Sequence, residues 1–170
     1  IERGPSHDER ISGDRAKLYP VLCISNHPRW RVHSQHDDMQ WLREIETNKI
    51  VGPDGYGYQA AWVNPEDAEA RGIRDDDLIR LWNHRGSVVC AAQVTSRLPR
   101  GVVSASTASA EYRPAGEPGK STDLGGCVNL LNSSKPITKK SHGIKPNTTL
   151  IQVEKWTGVD TWQPLEVANG

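Results

Sequence analysis

Residues 60–96 read AAWVNPEDAEARGIRDDDLIRLWNHRGSVVCAAQVTS, and this stretch decides the fold. Its first four residues are apolar and predict a short buried strand. Asn64 then supplies a helix N-cap and Pro65 the first helical residue, with acidic residues in the first turn and Gly72 as a C-terminal stop. The stretch therefore predicts a strand that runs directly into a two-turn helix.

Further strands are predicted on both sides of this helix. Residues 78–83 and 87–96 are two apolar runs joined by a turn at residues 84–86, as in a hairpin. Similar runs occur at residues 19–25 and 148–156. Many short strands with one clear helix and frequent Gly- and Pro-containing turns are typical of a small β-barrel with helical insertions.

Composition restricts the class of protein. The chain has 170 residues, 35% hydrophobic and 25% charged side chains, and a formal net charge of zero. A chain of this length can bury a core without disulfides, and the balanced charge argues against a nucleic-acid or membrane-surface protein. Cys23, Cys90 and Cys127 lie far apart in apolar runs and are expected to be buried thiols. No apolar run approaches the roughly 20 residues of a membrane span.

The chain divides into three expected parts. Residues 1–17 are charged without periodicity and are predicted to be a lead-in from an upstream domain, residues 18–156 the domain itself, and residues 157–170 a C-terminal tail. The first residue is Ile, so we expect a piece of a longer polypeptide from either a cytoplasmic or an extracytoplasmic compartment. Residues 110–126 form a Gly- and Pro-rich loop, and long loops inside compact domains are usually functional.

The strongest candidate for a binding site is residues 22–38, LCISNHPRWRVHSQHDD, where a predicted strand runs into a polar cluster. Arg29 and Arg31 suit a diphosphate or stacking over a ring. The neighbouring imidazoles, hydroxyls and amides suit the polar edges of a large anionic, partly aromatic ligand. A helix is predicted to follow at residues 39–45, with Asp37 and Asp38 as candidate N-caps.

Simpler interpretations of this loop remain open from the residues alone. It could be a polar surface loop without a ligand. Zinc binding by its histidines is disfavoured, because their spacing matches no common closed site. A hydrolase that uses His36 and Asp37 is weaker still, since no nucleophile signature accompanies them. Three tryptophans, Trp41, Trp62 and Trp82, are expected in the core, and Trp30 is expected near a ligand.

The order of the segments resembles a known family. HPRWRVHSQ, WVNPEDAEARGIRDDDLIRLWNHRG, RLPRGVV, GGCVNLL and LIQVEKW follow one another as in the C-terminal molybdopterin-dinucleotide-binding domain of the dimethyl sulfoxide reductase family. The resemblance covers about residues 19–156 and is greatest to transhydroxylase-like and catechol dehydroxylase-like large subunits. The chain has Asp75-Asp76-Asp77 where the family usually has Asp-Gly-Asp, but Asp tolerates a positive φ. The Lys-rich residues 136–143 also depart, which leaves Ser141 a weak contact.

This resemblance implies a mainly β fold, a double-psi β-barrel with short helices of the aspartate-decarboxylase-like type. It implies part of the site for a bis(molybdopterin guanine dinucleotide) cofactor, with Mo or W, that is bound only in the full-length oxidoreductase. The implied cofactor-binding residues are Ser25, His27, Arg29, Arg31, His33, Ser34, Gln35 and Asn129.

In such enzymes the metal ligand comes from another domain, so no catalytic residue and no metal ligand is expected here. The expected partners are upstream domains of the same subunit, with an iron–sulfur electron-transfer subunit as a further candidate. The alternative is a stand-alone β-barrel that binds a partner without any pterin.

Overall fold

The computed structural model describes residues 9–29, 31–32, 35–36, 39–44, 49–107, 111–134, 140 and 147–164. The helices are α1 (Glu9–Leu18), α2 (Gln40–Glu44) and α3 (Pro65–Glu69), with a 3₁₀ turn at Val128–Leu131. The strands are β1 (Val21–Ile24), β2 (Lys49–Val51), β3 (Gly57–Val63), β4 (Leu78–Trp82), β5 (Ser87–Val94), β6 (Val102–Ala105) and β7 (Thr149–Lys155).

Six of these strands close into a barrel. The sheet runs β3-β5-β4-β7-β1-β6, and β6 pairs back onto β3. Strand β2 pairs antiparallel with residues 57–59 at the start of β3, before the part of β3 that pairs with β5 and β6. The pairs β1–β6 and β3–β5 are parallel, and the other pairs are antiparallel. This closed barrel with few short helices confirms the predicted mainly β, double-psi class.

The barrel interior is filled by alternate residues of each strand. On β5 the inward set is Val88, Cys90 and Ala92, all fully buried. The outward residues Val89 and Ala91 are also buried, because Leu124 and other side chains cover that face. The strand is thus apolar on both faces, which explains its unbroken apolar sequence.

The cysteines are free thiols, as expected. Cys23 and Cys90 are buried and Cys127 is half-buried. Burial raises the pKa of Cys23 to about 12 and raises that of Cys90 as well. These thiols therefore stay protonated and pack as small apolar side chains.

The two ends of the barrel differ. At one end, here called the base, Asn64 caps α3 by accepting from Glu66 N at 2.9 Å. Asp67 is buried, and its Oδ2 accepts from Gly101 N at 2.6 Å, so this helix acid also anchors the start of β6. At the other end, here called the mouth, β1, β4 and β6 finish and β3, β5 and β7 start.

Several elements were not predicted or were predicted wrongly. α1 lies in the charged lead-in, and β2 was not predicted from the sequence. Trp41 is 58% exposed rather than in the core. Helical spacing shows that apolar residues share one face of a helix, but it does not show that this face packs against the core. Trp162 of the tail is buried instead. Asp76 has φ +63°, as the Asp-Asp-Asp turn required.

Asn83 provides a test of this architecture. It is 0% exposed, its Nδ2 donates to the carbonyls of Leu131 and Leu150, and its Oδ1 accepts from Arg85 N. Asn83→Ala leaves these buried groups without their partner, so we expect a loss of about 3 kcal/mol in the free energy of unfolding, measured with urea.

The matched control is Gln93→Ala, which removes an exposed amide on β5. It should change the free energy of unfolding by no more than about 0.5 kcal/mol. Equal effects of the two substitutions would refute the role given to Asn83.

Candidate functional site

The predicted binding loop begins at the mouth, where β1 and β6 end side by side. Ile24 pairs with Ser104, and the next residue, Ser25, donates its backbone N–H to Asn147 Oδ1 at 2.9 Å. Ser25 is buried, and its Oγ has no hydrogen-bond partner within the described part of the chain. A buried hydroxyl without a partner is costly and is usually explained by an absent ligand or water.

The first residues of the binding loop are hydrogen-bonded to β6 and to the residues just after it. Ser104 Oγ donates to Asn26 Oδ1 at 2.8 Å, and Thr107 N donates to the Asn26 carbonyl at 3.1 Å. Thr107 Oγ1 also lies 3.4 Å from Nδ1 of the exposed His27. These hydrogen bonds to the end of β6 hold His27 at the mouth of the barrel.

The loop continues through two arginines and a tight reversal. Arg29 is exposed, whereas Arg31 is only 8% exposed. Gln35 N donates to the Val32 carbonyl at 3.0 Å, and His36 has φ +66°. The chain thus turns back on itself here, with Gln35 exposed. His33 and Ser34, two further predicted site residues, and Trp30 lie outside the described residues.

Asn129, the remaining predicted site residue, lies on the 3₁₀ turn at the mouth. It is exposed, and its Oδ1 accepts from Asn132 Nδ2 at 3.2 Å. Asn132 Oδ1 in turn accepts from Thr149 Oγ1 at 2.6 Å, and Thr149 pairs with Cys23 near the end of β1. The fold therefore brings Asn129 and the root of the loop to the same end of the barrel.

Asp123, which the sequence did not single out, shapes the approach to Asn129. It is fully buried, and its carboxylate accepts from the backbone N–H groups of Arg113, Gly125 and Cys127 at 2.8–2.9 Å. Gly125 is required sterically, since a Cβ there would lie 1.9 Å from the Glu111 carbonyl oxygen. The Asp-Leu-Gly-Gly sequence could have predicted this role, because Asp side chains often accept hydrogen bonds from backbone N–H groups in turns.

The C-terminal tail forms hydrogen bonds with the long loop at residues 110–126 and with the barrel. Asp160 accepts from Thr122 N and from Thr122 Oγ1, both at 2.6 Å. Trp162 Nε1 donates to the Asn83 carbonyl at 2.9 Å. Burial opposes ionisation of Asp160, but hydrogen bonds from Thr122 and Trp162 and the nearby Arg80 cation outweigh it and lower its pKa.

Together these groups can bind a polar, anionic molecule. The loop offers guanidinium and imidazole donors, and the 3₁₀ turn offers an amide edge. Within the described ranges there is no group of three or more His, Cys, Asp or Glu side chains placed to hold a metal ion. In the same part of the chain, no helix is long and apolar enough to cross a membrane.

Comparisons with known proteins agree with the expected family. The profile of the family described as "Molydopterin dinucleotide binding domain" matches residues 21–150. The chain is 42% identical over 154 residues to the pyrogallol hydroxytransferase large subunit of Pelobacter acidigallici, which covers 91% of this chain and 18% of that protein.

Two reductases are also similar. Trimethylamine-N-oxide reductase of Haemophilus influenzae is 34% identical over 155 residues, covering 89% of this chain and 18% of that protein. A dimethyl sulfoxide reductase of Escherichia coli is 35% identical over 139 residues, covering 82% and 15%. The chain thus spans less than a fifth of the length of these relatives.

Among solved structures, acetylene hydratase from Pelobacter acetylenicus has the same fold. The TM-score is 0.61 at 16% identity, and the match covers 92% of this chain and 21% of that one.

The role of the tail can be tested through Asp160. Its folded pKa is lowered from 3.8, so its charged form stabilises the fold above pH 3.8, and this contribution is lost as the pH falls through the folded pKa. Asp160→Asn should lower the free energy of unfolding by about 1–2 kcal/mol at pH 7. In urea titrations the difference from wild type should shrink as the pH falls below 3.8.

Asp76→Asn is the matched control, because Asp76 is an exposed carboxylate in a turn whose positive φ Asn also tolerates. It should leave the free energy of unfolding nearly unchanged at pH 7 and at low pH. A difference for Asp160→Asn that does not depend on pH would contradict the ionic role.

Proposed function

This chain belongs to the molydopterin dinucleotide binding domain family, and from that premise we propose that it holds part of a molybdopterin guanine dinucleotide in the catalytic subunit of a molybdenum or tungsten oxidoreductase. The dinucleotide form of the pterin is the ligand for which the family is named. The guanine base, the choice of metal and the parent enzyme are the proposed refinements. Relatives named as a hydroxytransferase and as reductases support an enzyme of the transhydroxylase or reductase type.

One observation supports the proposal most strongly. Strand order brings the Arg-containing loop and the Asn129 turn to the same end of the barrel. The Ser25–Asn147 and Thr149–Asn132 hydrogen bonds lie at that end. A dinucleotide has phosphates at its centre and ring edges at both ends, so a site for it needs cations next to amides. The proposed contact residues are Ser25, His27, Arg29, Arg31, His33, Ser34, Gln35 and Asn129.

The residues present suit the group chemically. Arg29 and His27 are exposed at the loop and would bind the diphosphate, while Asn129 would pair with a ring edge. Ser25 Oγ is buried and has no hydrogen-bond partner among the described residues, and it would gain one from the ligand. When bound, the metal–pterin group supplies oxidation–reduction chemistry, and this domain positions it without contributing a metal ligand.

The remainder of the site would come from other parts of the same subunit. Three exposed apolar residues, Val32, Met39 and Trp41, lie in and just after the binding loop. Large exposed apolar side chains are candidates for an interface. We propose that they contact upstream domains of the catalytic subunit, with an iron–sulfur subunit as the electron-transfer partner.

The experiment is to purify the catalytic subunit containing this chain and to measure molybdenum, tungsten and oxidised-pterin fluorescence per polypeptide. We expect close to one metal and a strong pterin signal in the wild type. Arg29→Ala should lower both about tenfold, because a charge-assisted hydrogen bond to phosphate is lost. A wild-type subunit that contains neither metal nor pterin would contradict the proposal.

Arg100→Ala is the matched control. Arg100 is an exposed arginine at the base of the barrel, paired with exposed Glu66 at 3.1 Å. It should leave metal and pterin content unchanged. Equal loss in the two variants would refute the assignment of Arg29 to the cofactor.

A further inference from the structure

A second buried oxygen without a partner lies at the mouth. Gln59 is on β3, where alternate residues Ala61 and Val63 belong to the barrel core, so its side chain takes the inward face. It is 3% exposed, and its Oε1 has no hydrogen-bond partner in the part of the chain described. An amide oxygen buried in this way costs about 1–3 kcal/mol unless something binds it.

The position of Gln59 is fixed by the segment that leads to Asn129. A Cβ on Gly126 would lie 3.0 Å from Gln59 Cγ and 3.1 Å from its Cβ, and Gly126 has φ +78°. Only glycine accepts both the contact and the backbone conformation readily. The chain therefore passes directly over the Gln59 side chain three residues before Asn129.

Ser25 lies on the same inner surface, across β6. Ile24 pairs with Ser104, which places Ser25 level with Ala105, and Ala105 pairs with Ala61 of β3. Gln59 is two residues further toward the mouth. The residues between them, Ala61 and Ala105, are small and buried. The two side chains whose buried oxygens have no partner among the described residues thus lie on one wall of the mouth, with only small side chains between them.

We propose that Gln59, together with Ser25, is a specificity-determining contact for the ring edge of the bound cofactor rather than for its phosphates. This inference rests on the proposed function. Phosphate oxygens near neutral pH are mainly acceptors and cannot satisfy an amide oxygen, whereas ring N–H and amino groups can. The 2-amino-4-oxopyrimidine edge, which pterin and guanine share, offers such donors next to an acceptor for the amide N–H groups.

Gln59→Leu tests the inference, because leucine has a similar volume and no polar atom. In the subunit produced without cofactor, the variant should have a higher urea midpoint than wild type, since a buried unpaired oxygen is removed. In the cofactor-loaded subunit, pterin released per polypeptide should fall about tenfold. This opposite effect on stability and retention is not expected of a structural residue.

Gln93→Leu is the matched control, since Gln93 is an exposed amide on β5 and should change neither quantity appreciably. If Gln59→Leu yields no soluble protein, Ser25→Ala takes its place with the same two expected results. A lower urea midpoint of the cofactor-free variant overturns the inference, because it means that the polar group is satisfied without a ligand. Wild-type pterin content in the variant overturns it too.

The two rings are distinguished by reconstituting the cofactor-free subunit with molybdopterin or with its guanine dinucleotide. If the variant weakens retention of both forms, the contact is to the pterin, and if it weakens only the dinucleotide, the contact is to guanine. Equal retention of both forms by variant and wild type overturns the inference. Absence of pterin from the wild-type subunit is a separate result, and it contradicts the proposed function itself.

Discussion

The structure depends on the two-sided pairing of β3. One edge of this strand pairs in parallel with β5, and the other pairs antiparallel with β6, which closes six strands into a barrel. Closure leaves no free edge among these six and fixes which loops share an end. Because β1 and β6 are parallel, their following loops leave together at the mouth. The binding loop and the Asn129 turn are therefore placed by strand order rather than by contacts between themselves.

Buried polar groups then hold the loops on this frame. Asn83, Asp123 and Asp160 each satisfy two or more polar groups of segments distant in sequence or in a turn. Their partners are mostly backbone groups that no secondary structure would satisfy. Ser25 and Gln59 differ, because one side-chain oxygen of each is buried and has no hydrogen-bond partner in the part of the chain that the structure describes. The contrast separates polar groups that stabilise the domain from those that we assign to a ligand.

Much of the fold could be predicted from local sequence. Asn64 and Pro65 predicted α3, apolar runs predicted most barrel strands, and Asp76 was compatible with the positive φ that its turn requires. The loop around Arg29 attracted attention by composition, but its ligand came from the order of motifs. Local patterns did not predict the tertiary contacts. Trp41 had helical spacing but is exposed, whereas Trp162 is buried and donates to the Asn83 carbonyl. The sequence gives no sign that Gln59 differs from other strand amides, because its lack of a hydrogen-bond partner among the described residues appears only in the structure.

We assign the dinucleotide to the mouth of the barrel rather than to its base. The most direct measurement is an experimental structure of the cofactor-loaded catalytic subunit. We predict density for one dinucleotide against the loop at residues 25–36 and the 3₁₀ turn, with its phosphates nearest Arg29. Density for the dinucleotide at the base, beside α3 and Arg100, would contradict the claim.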